Sequence, residues 1–157
     1  MKIRDALVRD ISILASHHRS MFEEIWSDNG EVLDPGTGIG LEKAYARKLK
    51  LELEAEICKA WIVEDNNKIV SSGAITFVSF VPNPFDLSSA VGYLHSLYTL
   101  KTHRNRKCAQ MIIQEMMSCC KSRGVRRMTL NSSAAGQPVY EKMGFKTASD
   151  SMRLFLG

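Results

Sequence analysis

The sequence has no apolar run long enough to cross a bilayer. Its longest, Ile69 to Pro82, is broken by Ser71, Ser72, Gly73, Thr76 and Ser79. Nor does it open with an export signal, because Lys2, Arg4, Asp5, Arg9 and Asp10 interrupt the first ten residues. A soluble, cytoplasmic protein is the expectation. Only four cysteines are present, Cys58, Cys108, Cys119 and Cys120, with neither C-x-x-C spacing nor the density of a disulfide framework. They read as reduced, mostly buried thiols. Internal repeats and linker-like stretches are also missing, so residues 1–157 are expected to form one domain. The net charge of +4 is mild and suits an anionic small molecule as well as nucleic acid.

Periodicity then orders the chain. Lys2 to Arg4 reads as a strand, and Ile11, Leu14, Phe22 and Ile25 lie at helical spacing. Ser27 to Gly40 is loop-like, and Leu41 to Cys58 resumes a helix. Trp61–Val63 and Ile69–Val81 form a hairpin about Asp65-Asn66-Asn67, and Val91 to Leu100 is a central strand after a loop, Pro82 to Ser89. Arg106 to Arg123 is the clearest helix, closed by Gly124. A strand at Met128–Leu130, a short helix at Ala134–Lys142 and a final strand at Met152–Leu156 complete a β-α-α-β-β-β-α-β-α-β order. The class is α/β.

Two features that look functional are set aside. His17 and His18 are adjacent on a helix, point in different directions and have no third ligand at a metal spacing. Asp34 to Gly40 is glycine-rich like a phosphate loop, but no strand precedes it and Leu41-Glu42 stands where such a loop needs Lys-Ser/Thr. A flexible loop is expected there.

The chemistry gathers where a strand passes through the basic turn Lys101-Thr102-His103-Arg104-Asn105-Arg106-Lys107 into a helix. The unpaired N–H groups and dipole of a helix's first turn, with guanidinium groups nearby, make an anion site. A phosphorylated ligand is therefore expected at Arg104 to Gln110.

Arg104 to Ala109 fills the frame Arg/Gln-x-x-Gly-x-Gly/Ala, and Gly136 to Phe145 supplies a second block ending in Tyr-Glu-Lys-x-Gly-Phe. In these two blocks the chain resembles the GNAT superfamily of N-acetyltransferases. Lys107 departs from the pattern, standing at the first glycine of the frame. The resemblance implies a GNAT fold: a mixed, twisted sheet of six to seven strands, splayed at its centre, with helices on both faces. It implies acetyl-CoA as co-substrate, a primary amine as acceptor, direct transfer in a ternary complex, and no metal.

Carried over position by position, the resemblance gives main-chain groups of Leu97, Tyr98 and Thr99 to the pantetheine arm. The amides of Arg104, Asn105, Arg106, Lys107, Cys108, Ala109 and Gln110 go to the pyrophosphate, and Ser133 to the pantetheine chain. Tyr140 becomes the proton donor to the departing thiolate. His95 is the candidate base, on the same strand face as Tyr93, Leu97 and Thr99 if the strand alternates without a bulge. Glu23, Glu24 and the acidic residues of 28–34 border the expected acceptor side, where they could attract a cationic amine.

The resemblance also allows a homodimer, and the acceptor is a small-molecule or peptide amine, with no nucleic acid or membrane as partner. Two rivals stay open: a non-catalytic acyl-CoA sensor or partner-binding module, and a nucleic-acid-binding protein using Lys101, Arg104, Arg106, Arg126 and Arg127.

Overall fold

A computed structural model describes residues 1–148 and 150–157. Five strands form one sheet in the order β1 (Lys2–Asp5), β2 (Cys58–Asp65), β3 (Lys68–Ser79), β4 (Ala90–Thr99) and β5 (Arg127–Thr129). The first three junctions are antiparallel, and β4 pairs with β5 in parallel. The sheet is buried on both faces, which is why the middle of β2 is an unbroken apolar run rather than an alternation. Trp61 and Val63 of β2 face α3 (Cys108–Ser122) with Ile75, Leu94, Ile112 and Met116. Ala60 and Ile62 face α1 (Ile11–Asp28) and α2 (Pro35–Glu54) with Leu14, Tyr45 and Leu49.

The sheet has five strands where six to seven were expected. The segment Met152–Leu156, expected as a strand, forms none: Met152, Leu154, Phe155 and Leu156 are exposed. Leu154-Phe155-Leu156 is a continuous apolar run, and no sheet face receives it. The loop expected over Ser27 to Gly40 is shorter than that, because α2 starts at Pro35. Asp34 accepts the Thr37 N–H at 2.9 Å and Pro35 takes the first helical turn, an N-terminal signal strong enough to carry Gly36, Gly38 and Gly40 into the helix. The other end of α2 stops at Glu54, and Cys58 belongs to β2. A short α4 (Gln137–Lys142) follows β5.

Two departures from regular pairing shape the centre. Ser72 stands opposite Tyr98 and Ala74 opposite His95, so Ser96 and Leu97 together face Gly73. This is a β-bulge, with Ser96 at φ 56°. In addition, β5 follows β4 only over Val91 to Tyr93, and the remainder of β4, through Thr99, runs on without it. The central strands part.

Candidate functional site

Where β4 and β5 part, a cleft of ≈ 720 Å³ opens between the second half of β4, the head of α3 and α4. Its floor is Leu97, Tyr98 and Thr99. One wall is the turn and first helical residues Arg104, Asn105, Lys107, Cys108, Ala109 and Gln110, and the other includes Ser133 and Tyr140. The fold thus brings together every expected ligand-binding residue except Arg106, which turns away to within 3.9 Å of the Asp65 carboxylate. Lys142 adds a cation that sequence reasoning had not assigned, although it lies inside the second block. With Arg104 and Lys107 it gives the cleft three fixed positive charges, against Glu24 and Asp28 of α1.

The head of α3 is uncapped. Lys107 is its N-cap residue, and no side chain among the described residues accepts a hydrogen bond from the first turn. Met111 N–H is the first to close a helical bond, onto Lys107 O at 3.0 Å. The N–H groups of Cys108, Ala109 and Gln110 therefore lack helical partners at a wall of the cleft, and a fifteen-residue helix dipole stands behind them. Unpaired N–H groups at the positive end of a helix dipole suit an anion.

Lys107 itself has φ 66° and ψ 13°, in the left-handed region. Glycine is the residue for which this conformation costs least, which gives the missing glycine a second purpose beyond close approach of the main chain. Asn105 is left-handed too, at φ 63°, and asparagine tolerates that region well.

Tyr140 lines the cleft with its ring edge-on to Phe145, the centroids 5.8 Å apart. Burial, with a smaller contribution from the Tyr93 phenol, pushes its pKa up to about 12. It is therefore a neutral hydroxyl across the physiological range. Tyr93 in turn receives a hydrogen bond from Asn131 Nδ2 at 3.0 Å. The Ser133 hydroxyl oxygen accepts from Gly136 N–H at 3.1 Å, which leaves its own proton to donate.

His95 stands elsewhere. The bulge at Ser96 reverses the alternation of β4, so Leu97 packs toward α3 while Tyr98 packs against His17 of α1, ring centroids 5.2 Å apart. His95 therefore shares a face with Tyr93 and Tyr98, and the expected common face with Leu97 and Thr99 is corrected. Both His95 ring nitrogens are engaged, Nδ1 with the Tyr45 hydroxyl at 2.8 Å and Nε2 with Thr76 Oγ1 at 2.8 Å. Burial, aided by Lys48 and His18, lowers its pKa to about 3. Among the described residues it is not part of the cleft wall.

Nor is Glu24 a free acidic group on an acceptor loop. It lies in α1 and bonds to Tyr98 and Arg104. His17 contacts Ser72 Oγ through Nδ1 at 2.7 Å, and His18 stacks on the Tyr45 ring at 3.8 Å. All four cysteines are free thiols, three of them buried. No helix among the described residues is long and apolar enough to cross a membrane.

Comparison with known proteins bears on the family and the fold. The profile of the Acetyltransferase (GNAT) family matches residues 16–145. A structure from Clostridium acetobutylicum, described as a predicted acetyltransferase with acetyl-CoA, superposes with a TM-score of 0.85 at 28% identity over 98% of this chain and 95% of that one. A GCN5-related N-acetyltransferase from Ralstonia eutropha JMP134 has the same fold, with a TM-score of 0.88 at 20% identity over 99% of both chains. A curated relative, glucosamine 6-phosphate N-acetyltransferase of Trypanosoma brucei brucei, is 30% identical over 67 residues. That match spans 43% of this chain and 46% of the relative's length.

Proposed function

This chain belongs to the GNAT acetyltransferase family, and from that premise we propose that it moves an acetyl group from acetyl-CoA to a primary amine by direct transfer in a ternary complex. The observation that carries the reading is the uncapped head of α3 at a cleft whose floor is the part of β4 that β5 leaves behind. The amides of Cys108 to Gln110, with the side chains of Lys107 and Lys142, fit a pyrophosphate. The main-chain edge at Leu97 to Thr99, which β5 leaves unpaired, fits an amide-bearing arm, which would bond there as an added strand does.

Bound acetyl-CoA supplies an activated acyl thioester; the protein supplies position, polarisation and a proton. N–H groups at the Ser96–Leu97 bulge, released from regular pairing, polarise the acyl carbonyl. As the amine nitrogen bonds to that carbon and the C–S bond breaks, Tyr140 gives its proton to the departing sulfur. The amine's own proton leaves to solvent, and solvent returns a proton to the Tyr140 phenolate before the next turnover. His95 takes no proton in this scheme, because both its nitrogens are held and its basicity is low. It fixes the strand just before the bulge instead. Acetyl-CoA use fits a cytoplasmic domain spanning 1–157.

Isothermal titration with CoA and acetyl-CoA, followed by thiol release with a panel of amines, tests this. Glucosamine 6-phosphate belongs in the panel because the Trypanosoma relative and an Arabidopsis thaliana structural neighbour carry that activity in their names. The expected result is CoA binding and thiol release dependent on one amine class. Absence of CoA binding rejects the reading, and binding without transfer to any amine favours the sensor.

A further inference from the structure

Glu24 is the one side chain of α1 that holds both halves of the expected cofactor track. Its Oε1 accepts a hydrogen bond from the Tyr98 hydroxyl at 2.8 Å, and its Oε2 accepts from Arg104 Nη2 at 2.7 Å. Arg104 also donates from Nε to Thr99 O at 3.0 Å, and its guanidinium lies 5.6 Å from the Tyr98 ring centroid. Tyr98 belongs to the strand that would bond the pantetheine arm, while Arg104 opens the turn that would hold the pyrophosphate. A guanidinium used this way is a brace for the turn more than a free phosphate ligand.

We propose that Glu24 is a positioning residue for the cofactor, its two carboxylate oxygens aligning the β4 strand at Tyr98 with the phosphate turn at Arg104. The inference rests on the acetyl-CoA reading above and adds to it a residue outside both motif blocks. Charge-assisted hydrogen bonds of this kind are short and roughly twice as strong as neutral ones, and they join residues seventy-four and eighty positions apart in sequence. α1 also packs against β4, so the pair couples this helix to the cofactor side of the sheet.

The proposal and simple electrostatics predict opposite signs. If Glu24 were only a negative charge on the cleft wall, Glu24→Gln would relieve repulsion and tighten an anionic ligand. If Glu24 aligns the track, the same substitution turns an amide N–H₂ or a neutral oxygen toward Arg104, loosens the turn and weakens binding.

Calorimetry with CoA is expected to show Glu24→Gln weakening affinity about tenfold, equivalent to about 1.4 kcal/mol. Steady-state kinetics should raise KM for acetyl-CoA by a similar factor, with kcat and the acceptor KM within about twofold. In an Arg104→Gln background, adding Glu24→Gln should weaken binding by clearly less than tenfold, because the bond to Arg104 is already gone and only the bond to Tyr98 remains to be lost. Tyr98→Phe, which removes only one of the two bonds, should give an intermediate loss and serves if Glu24→Gln folds poorly. Tighter or unchanged CoA binding by Glu24→Gln overturns the proposal, and so does a fall in kcat without a change in KM. Failure of the unsubstituted protein to bind CoA would count against the proposed function instead.

Discussion

The Tyr45 hydroxyl lies 2.8 Å from Nδ1 of His95 and joins α2 to the central strand through a buried polar contact. With Thr76 on Nε2, the imidazole is held neutral, donating from one nitrogen and accepting at the other. Burial also keeps His17 and His18 neutral, lowering each to about 4.

Acid should therefore destabilise the protein before its carboxylates protonate. Each folded-state value lies below the ordinary 6.5. Between that value and 6.5 the unfolded chain binds protons that the folded chain refuses, so stability is complete above pH 6.5 and falls as pH drops toward 4. Each coupled histidine steepens the fall by up to about 1.4 kcal/mol per pH unit. Urea titrations at half-unit pH intervals check this. His95→Gln should flatten the slope, and an unchanged slope would mean that His95 is accessible to protons.

Lys107→Gly should raise stability. Relief of a left-handed non-glycine residue is worth about 1–2 kcal/mol, and the extra freedom of glycine in the unfolded chain takes back about 0.5–1 kcal/mol. A net gain of roughly 0.5–1 kcal/mol should appear as a Tm increase of a few degrees in thermal denaturation. The same variant removes one of the cleft's three fixed cations, so its CoA affinity should vary less with salt.

Tyr140→Phe should leave CoA affinity within about twofold and lower kcat by about 10²-fold or more, the usual contribution of a positioned proton donor. With the phenol at about 12, the loss should be the same from pH 7 to pH 9. Turnover equal to that of the unsubstituted protein at every pH would remove Tyr140 from the mechanism.

Gly73→Ala should disturb the bulge. A methyl group at Gly73 would meet Leu97 Cδ1 at 2.9 Å, Ile112 Cγ2 at 3.0 Å and Met116 Cε at 3.1 Å, all on the α3 side. Overpacking of this order costs about 1–3 kcal/mol. Because Leu97 is also part of the cleft floor, calorimetry should find weaker CoA binding together with the lower Tm.

Much of this was legible in the sequence because the signals were local. The helix from Cys108 carries its own periodicity and glycine stop, and the two motif blocks sit on turns that fix their direction. What escaped was set by partners distant in the chain. Alternation places His95 beside Leu97 only if β4 is regular, and the extra residue at Ser96 becomes visible only through pairing with Gly73. The two bonds of Glu24 gave no sign in the sequence, since its partners lie seventy-four and eighty positions away. Asp34-Pro35 did contain a helix start, but three glycines in the following six residues outweighed it. Met152 to Leu156 has strand composition, yet composition cannot supply a neighbouring ladder.

Because of the doubled position in β4, odd-numbered side chains before residue 96 and even-numbered ones after it share a wall. A library directed at that wall would vary 93, 95 and 98 together. One that followed simple parity through 97 would instead cut into the packing beneath α3 and destabilise the fold.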